Sequence, residues 1–423
     1  MRRIALHWQI LGALLLAVLA GYFLGPWRMG PVAATDVFDF VGTLFLNALK
    51  MIVVPLVVAS IVTSVASLGT TEGFARMGLK TIGFYVITTL LAVVLGLVLV
   101  NLIAPGTRGD GAALQLPADV SEQLKKAEGR GIGDIAQIFT RMVPTNVISA
   151  AAGGDLLGLI FFSLLFGFFA NQLPENLRNP FVAFWRSIYE TMLLLTNFIM
   201  KFAPIGVFGL VANVVATTGF EAFERLGLFF ATTAAALIIH TFVTLPLIIV
   251  LVARLDPRRH FRAMAPAMLT AFSTASSSAT LPLTMECVEQ RAGVSNRVAS
   301  FTLPLGATVN MNGTALYECV AAMFIAQVYG VEFGFVTQFT VVLLALLTSI
   351  GVAGIPAASL VAIVIILNAV GLPAEGIGLI LAVDRILDMM RTSVNIFGDS
   401  CAAIVIAKSE GEKDLLPAEP LVR

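Results

Sequence analysis

Long apolar runs separated by short polar segments dominate this chain of 423 residues. A helix needs about 20 mainly apolar residues to cross the hydrocarbon layer of a bilayer. Several runs exceed that length, which predicts tilted or kinked helices, with kinks at Pro55 and Pro204. The only sizeable polar stretch, 105–135, is predicted to be an exposed loop. The predicted spanning helices are 8–25, 37–67, 77–104, 137–172, 181–216, 221–253, 296–328 and 375–408.

Two apolar segments in the C-terminal half are interrupted at their centres. Residues 258–290 contain a Ser/Thr-rich run at 273–280 followed by Pro282, and residues 334–368 have a Gly/Ser/Pro-rich centre at 348–359. Each arm is too short to cross a bilayer, so the pattern predicts two re-entrant helical hairpins whose tips line protein or a cavity. Such paired interruptions are typical of transporters with inverted repeats. Two kinked spanning helices that pack through small residues are the alternative.

A polar stripe marks the last apolar segment. Its members are spaced four, three, four and four residues apart, which places them on one face of a helix. Apolar residues at 377–383 and 402–407 flank the stripe, so it is predicted to lie at membrane depth rather than on the solvated face of an amphipathic helix. Charged groups there are costly unless they face a partner or a water-filled cavity, which predicts a polar-substrate site. The members are Asp384, Asp388, Arg391, Asn395 and Asp399.

Another interruption, Asn-Met-Asn-Gly-Thr at 310–314, lies inside the apolar run 301–325. Amides and glycine at this position weaken a helix and leave backbone carbonyls free. The oxygens of Thr308, Asn310 and Thr314 would suit a hard cation such as Na⁺. Packing between helices is the alternative role for this segment.

Composition agrees with a membrane protein. The chain is 58% hydrophobic and 12% charged, against roughly 25% charged in soluble domains. The 26 basic and 26 acidic residues balance, which gives no indication of a nucleic-acid partner. Three cysteines without a CxxC pair and three scattered histidines indicate neither a disulfide framework nor a catalytic metal site, and no nucleophile–base set indicates an enzyme.

The distribution of basic residues predicts the orientation. If the helices alternate, five basic groups fall on one side, which should be the cytoplasm. Both termini are therefore expected to be cytoplasmic in a multi-pass protein of the inner or plasma membrane. The first helix lacks a small-residue cleavage site and is expected to be retained. The five groups are Arg2/Arg3, Arg76/Lys80, Arg178/Arg186, Arg254/Arg258/Arg259/Arg262 and Lys408/Lys413.

Four sequence blocks resemble the signature motifs of the glutamate transporter family, the dicarboxylate/amino acid:cation symporters that include archaeal aspartate transporters and animal excitatory amino acid transporters. The blocks are SSSATLP at 276–282, NMNGTALYE at 310–318, AGIP at 353–356 and DMMRTSVNIFGD at 388–399. They occur in the family's order, and the resemblance covers essentially the whole chain.

The resemblance implies an all-α polytopic membrane protein with eight transmembrane helices and two re-entrant hairpins, assembled as a homotrimer with an elevator mechanism. It implies scaffold helices 1–2 in 1–73, transport-domain helix 3 in 74–108 and a polar external loop in 109–136. Scaffold helices 4–5 would occupy 137–216. The rest of the transport domain would occupy 217–423, with helix 6, hairpin 258–290, helix 7, hairpin 334–368, helix 8 and a cytoplasmic tail.

The resemblance also assigns substrate contacts. Arg391 would pair with the side-chain carboxylate of the substrate, and Asp388 would receive its ammonium group, with Thr392 close by. The resemblance further implies that Gly354 and Ile355 close over the ligand as a gate. The remaining expected contacts come from Ser276, Ser277, Ser278, Thr314 and Asn395.

Three sodium sites are implied by the same resemblance. The first would use Gly306, Asn310, Asn395 and Asp399. The second would use the carbonyls of Thr308, Ser349, Ile350 and Val352. The third would use Tyr85, Thr88, Thr89, Asn310 and Asn312. Sodium-coupled members usually carry aspartate at the position of Asn312, so this chain lacks an anionic ligand there.

Two further positions bear on coupling. Glu318 stands where animal glutamate transporters keep a glutamate thought to carry a proton, and burial in an apolar helix favours the neutral form of a carboxyl group. The family commonly places an arginine at the positions of Ala275 or Met389. Here Arg385 either replaces it or pairs with Asp384 or Asp388.

The resulting hypothesis is a secondary active symporter that imports aspartate or glutamate with Na⁺, H⁺ or both, without a cofactor other than co-transported Na⁺. A proton-coupled C4-dicarboxylate transporter is one alternative, and an ion channel is an alternative of another class. Aspartate, glutamate and dicarboxylate are not distinguished by the sequence, and neither is the coupling ion.

Overall fold

The computed structural model describes residues 6–25, 27–29, 32–66, 72–107, 140, 143–153, 156–218, 221–351 and 358–417. These residues are mostly helical. A two-stranded antiparallel ribbon, β1 (Arg28–Met29) and β2 (Val32–Ala33), lies between the first two helices.

The first part of the chain forms helices close to the predicted runs, with two differences. The run 137–172, predicted as one helix, is not helical at residues 143–146. The run 181–216, predicted as one kinked helix, is divided at residues 201–202 into α6 (Glu175–Met200) and α7 (Ala203–Thr218). Pro204 lies in the first turn of α7, where its missing N–H costs nothing, so it begins a helix instead of kinking one. Pro55 does lie inside α2. The helices are α1 (Leu6–Leu24), α2 (Ala34–Ala66), α3 (Glu72–Ile103), α4 (Val147–Gly153), α5 (Leu156–Ala170), α6 (Glu175–Met200) and α7 (Ala203–Thr218).

A long helical column follows, built from α8 (Glu221–Ile239), a π-helical turn, α9 (Leu245–Ile248) and a second π-helical turn that ends at Ala253. Pro246 in α9 cannot donate a backbone hydrogen bond, and π-helical turns lie on both sides of it. Within the described residues, Arg225–Ala253 and Arg76–Ile103 are the two helical stretches long and apolar enough to cross a membrane by themselves.

The two interrupted segments each form a pair of helices. The first pair is α10 (Pro257–Thr274) and α11 (Ser277–Glu286), which pack against each other. Between them Ala275 adopts a left-handed conformation with φ 51°, and the Ser276 side chain caps α11 by accepting a hydrogen bond from the Ala279 amide. The second pair is α14 (Phe335–Gly351) and α15 (Ala358–Val370), which also pack together.

Between and after these pairs lie α12 (Asn296–Val309), α13 (Asn312–Val328), a 3₁₀ turn at Ala374–Leu379 and α16 (Leu381–Ser409). The run predicted at 296–328 is therefore split between α12 and α13, at the Asn-rich interruption. Helix α13 packs against α3, α8, α14, α15 and α16, and α16 also packs against α10, α11 and α12. These contacts bring the helix break, the polar stripe and the turn of the first helix pair into one region.

Candidate functional site

The break between α12 and α13 is held open by a side chain of α16. Asn310 and Met311 leave the helical conformation, with φ/ψ values of −94°/88° and −116°/57°. In a continuous helix the Gly313 amide would donate to the Val309 carbonyl, but here it donates to Oδ1 of Asn395 at 2.8 Å. The Asn395 amide nitrogen donates in turn to Thr314 Oγ1 at 3.1 Å.

Four residues predicted to form the first sodium site lie next to this break. Asn310 Nδ2 donates to Asp399 Oδ1 at 2.7 Å, and both residues are buried. Gly306 leaves the space that the Asp399 carboxylate occupies, since a Cβ on Gly306 would lie 2.4 Å from Asp399 Oδ1. The same Cβ would lie 2.7 Å from the Tyr85 hydroxyl. Gly306 and Asn310 therefore meet at a buried carboxylate that has no ion pair with a described residue, and Asn395 lies one helical turn before it on α16.

Tyr85, Thr88 and Thr89 of α3 border the same region from the other side. Thr89 Oγ1 donates to Asn312 Oδ1 at 2.8 Å, and the Tyr85 hydroxyl donates to the Thr302 carbonyl at 2.8 Å. Thr88 bonds to backbone carbonyls of its own helix. Asn312 Nδ2 and Asn310 Oδ1 are buried and have no hydrogen-bond partner among the described residues. Within the third predicted set, the described hydrogen bond joins Thr89 and Asn312, and both groups are neutral.

The second predicted sodium set is described only in part. Thr308 of α12 and Ser349 of α14 lie on two helices that pack together, and their hydroxyls donate to Leu305 and Leu346 carbonyls of their own helices. Ile350 is in α14. Val352 lies outside the described residues, as do the predicted gate residues Gly354 and Ile355.

Arg391 is the central cation of the polar stripe, and its side chain is 1% exposed. Its Nη2 donates to Asp388 Oδ1 at 2.9 Å and to Asp384 Oδ1 at 3.1 Å. The guanidinium carbon lies 3.8 Å from the centre of the Tyr317 ring. Nε and Nη1 are buried and have no hydrogen-bond partner among the described residues. The single N–H of Nε and the two of Nη1 therefore remain for ligands that accept hydrogen bonds.

Arg385, for which the sequence left two roles open, lies 3.5 Å from Asp388 through its Nη1. The ion pair is the role that the structure supports. Two arginines and the carboxylates of Asp384 and Asp388 then balance in charge, while the Asp399 carboxyl group has no ion pair with a described residue. Because an unpaired buried carboxylate is costly, this position favours a bound cation or a proton.

The turn of the first helix pair approaches the stripe. Helices α10 and α11 pack against α16, and the Ser393 hydroxyl donates to the Met268 carbonyl at 2.8 Å. Ser277 is buried at the first position of α11, whereas Ser278 is exposed. Thr392 bonds to the Asp388 carbonyl of its own helix at 2.8 Å. The first N–H groups of a helix have no acceptor within the helix, so the start of α11 suits an anion such as a carboxylate.

Glu318 is fully buried on α13, and its Oε2 lies 2.7 Å from Thr348 Oγ1 on α14. Neither Thr348 nor Tyr317 was assigned a role in the sequence analysis. Both reach the site across helix pairs distant in sequence, and local periodicity carries no signal for such contacts. Within the described residues no cluster of three His, Cys, Asp or Glu side chains could hold a metal ion.

Comparison with known proteins gives the family. The model of the sodium:dicarboxylate symporter family matches residues 6–409. The chain is 36% identical to the proton/glutamate-aspartate symporter of Escherichia coli (strain K12) over 420 residues, covering 97% of this chain and 94% of the relative. It is also 36% identical to the proton/sodium-glutamate symport protein of Geobacillus stearothermophilus over 413 residues, covering 97% and 96%.

A mammalian relative shows similar likeness. The chain is 34% identical to excitatory amino acid transporter 3 of Mus musculus over 455 residues, covering 95% of this chain and 85% of the relative. Together with the family model, these matches confirm the resemblance seen in the sequence motifs. The chain belongs to the sodium:dicarboxylate symporter family and is a membrane transport protein.

Proposed function

We propose that this protein is a secondary active symporter that imports aspartate or glutamate together with cations. The observation that carries the proposal is the buried pair of Arg391 and Asp388, 2.9 Å apart on one helix face. A side-chain carboxylate would accept a hydrogen bond from Nη1 or Nε of Arg391, neither of which has a partner among the described residues. The ammonium group of the substrate would take Asp388. The names of the relatives, which are glutamate and aspartate symporters, support this assignment.

Other groups would complete the substrate site. The α-carboxylate would lie near Asn395, Thr314 and Thr392, against the start of α11, where Ser276, Ser277 and Ser278 stand. Gly354 and Ile355 are proposed as the gate on the strength of the motif alone. Substrate binding would then join α11, α13 and α16.

Sodium is proposed as a co-transported ion at Asp399 because this carboxylate has an amide donor but no cation among the described residues. Gly306, Asn310 and Asn395 would complete that site. A second ion would lie among the carbonyls of Thr308, Ser349, Ile350 and Val352. A third site at Tyr85, Thr88, Thr89 and Asn312 would lack an anionic ligand, and Glu318 would carry a proton.

The proposed architecture has eight spanning helices, two re-entrant hairpins formed by α10–α11 and α14–α15, and cytoplasmic termini. Helices α1, α2 and α5–α7 pack mainly on one another, whereas α3 packs on α13 and α8. That division supports a scaffold of 1–73 and 137–216, and a transport domain of 74–108 and 217–423 that moves as an elevator. We place the external loop at 109–136 and the assembly as a homotrimer in the plasma or inner membrane.

Transport of a C4-dicarboxylate is the competing function, because the family description names dicarboxylates. A dicarboxylate has no ammonium group, so it would leave Asp388 without a substrate partner. The variant Asp388→Asn should therefore reduce aspartate uptake strongly and succinate uptake little if an amino acid is the substrate.

The test is uptake of labelled aspartate, glutamate and succinate into proteoliposomes, with Na⁺ and H⁺ gradients imposed separately. We expect gradient-driven accumulation of an acidic amino acid, inhibited by excess unlabelled aspartate. Asp399→Asn should raise the sodium concentration needed for half-maximal uptake. Equilibration without accumulation would instead indicate a channel, and accumulation of succinate alone would indicate the dicarboxylate transporter.

A further inference from the structure

The Thr348 hydroxyl has two short contacts with oxygen atoms but only one proton to donate. Its Oγ1 lies 2.7 Å from Glu318 Oε2 and 2.7 Å from the Leu344 carbonyl oxygen. Both distances are ordinary for O–H···O hydrogen bonds. A carbonyl oxygen can only accept, and an ionised carboxylate can only accept. With Glu318 ionised, one of these two buried contacts would therefore join two oxygens without a proton between them.

A proton on Glu318 satisfies both contacts. The carboxyl group then donates to Thr348 Oγ1, and the threonine hydroxyl donates to the Leu344 carbonyl. The second bond is the usual back-bond of a helical threonine to the residue four positions earlier. Thr340, two turns before on the same helix, makes the same bond to the Val336 carbonyl at 2.9 Å.

The surroundings of Glu318 agree with a neutral carboxyl group. Of the helices packed against α13, α14 and α15 carry no ionisable residue. From α16 the charged group that acts on Glu318 is Arg391, whose charge is already paired with Asp384 and Asp388. The elements packed against α13 carry further ionisable groups, which are Glu72, Arg76, Lys80 and Tyr85 of α3, Glu221, Glu224 and Arg225 of α8, Glu375 of the 3₁₀ turn, and Arg385, Asp399, Cys401 and Lys408 of α16; α13 itself carries Tyr317 and Cys319. None of them has a hydrogen bond to Glu318 among the described contacts.

We propose that Glu318 and Thr348 together form the proton site of this transporter, with Thr348 as the acceptor that positions the proton. The proposal rests on the proposed symport function and names the residue that completes its proton site. The bond joins α13 to α14, which is the first helix of the second helix pair. Protonation of Glu318 therefore stabilises the contact between α14 and the helices that are proposed to bind substrate. Loss of the proton forces the threonine hydroxyl to leave either Leu344 or Glu318.

Infrared spectroscopy of the reconstituted full-length protein tests the bond directly. The difference spectrum between the wild type and Glu318→Gln should contain the C=O band of a protonated carboxyl group at neutral pH. Thr348→Val should shift this band, Thr348→Ser should restore it, and Thr340→Val, the matched control, should leave it in place. A wild-type spectrum without a protonated-carboxyl band from Glu318 would overturn the proposal.

Uptake assays show the direction of the effect. If Thr348 accepts the proton of Glu318, Thr348→Val should lower the pH midpoint of aspartate uptake by about 0.5–1 unit, a roughly three- to tenfold weaker proton affinity. A midpoint that rises would mean that the hydroxyl stabilises the carboxylate instead, and the proposal would be wrong. If the infrared band is present but wild-type uptake does not depend on pH, the hydrogen bond exists and proton coupling is not part of the function.

Discussion

The side-chain oxygen of Asn395 accepts the hydrogen bond from the Gly313 amide at 2.8 Å, in place of the helix carbonyl that would normally accept it. A residue of the polar stripe therefore maintains the break between α12 and α13. Because the Gly313 amide donates to α16, the Val309 carbonyl is released from the helical hydrogen bond that this amide would otherwise donate. The Asn395 side chain in this way joins the two elements that are proposed to bind substrate and ion.

Replacing Asn395 with Leu should disturb both elements together. The Gly313 amide would be left buried without an acceptor, which costs about 1–3 kcal/mol, and Thr314 would lose its donor. We expect a lower thermal unfolding midpoint in detergent, and weaker binding of aspartate and Na⁺ by isothermal titration calorimetry. Asn101→Ala removes an exposed hydrogen bond between the side-chain amides of Asn101 and Gln338. This variant should change neither the unfolding midpoint nor the binding of aspartate and Na⁺. An unaltered midpoint in Asn395→Leu would show that the break does not depend on this bond.

Gly306→Ala should affect sodium specifically. The added methyl would lie 2.4 Å from Asp399 Oδ1 and 2.7 Å from the Tyr85 hydroxyl, so the carboxylate must move. Overpacking of this kind costs about 1–3 kcal/mol, and we expect a roughly tenfold or larger increase in the sodium concentration for half-maximal uptake. Gly83→Ala on α3 is the matched control, because a Cβ there meets nothing within 4 Å. If uptake by the two variants depends equally on sodium, Gly306 and Asp399 are not part of the ion site.

The sequence predicted those parts of the site that depend on local patterns. The stripe on α16 follows from helical periodicity, and the helix break follows from two amides and a glycine in an apolar run. The contacts of Tyr317 with Arg391 and of Thr348 with Glu318 were not predictable, because they depend on how distant helices register against one another. The division between α6 and α7 was missed although Lys201 interrupts the apolar run there and Pro204 indicates a helix start, because a proline inside an apolar run also predicts a kink.

Arg391 is expected to decide the preference for acidic substrates. Arg391→Ala removes the cation that balances Asp384 and Asp388, and loss of a buried charge partner should weaken aspartate binding by roughly 2–5 kcal/mol. Arg385→Ala removes the longer ion pair of Asp388, at 3.5 Å, and leaves the pair with Arg391 in place, so it should weaken aspartate binding less. Aspartate and serine affinities, measured by competition with labelled aspartate, check the change in selectivity. An Arg391→Ala variant that still prefers aspartate as strongly as the wild type would contradict the assignment.

Asn312 and Glu318 are expected to set the balance between sodium and proton coupling. Asn312 Oδ1 already accepts from Thr89 at 2.8 Å, while its Nδ2 is buried without a partner among the described residues. Asn312→Asp would keep the acceptor and place an anionic oxygen where the amide nitrogen lies, which favours a hard cation. The sodium concentration for half-maximal aspartate uptake should therefore fall, whereas Gln172→Glu, which adds a charge in an exposed turn, should not change it.

Glu318→Gln tests the other half of the balance. If Glu318 carries a proton inward, wild-type uptake should decline as the external pH rises, and the glutamine variant, which cannot ionise, should show a flat profile. Combining Glu318→Gln with Asn312→Asp should give uptake that depends on Na⁺ alone. If the wild type instead shows the same sodium stoichiometry at every pH and moves no protons, the sodium gradient alone drives uptake. The neutral ligands Tyr85, Thr88, Thr89 and Asn312 would then suffice for the third ion.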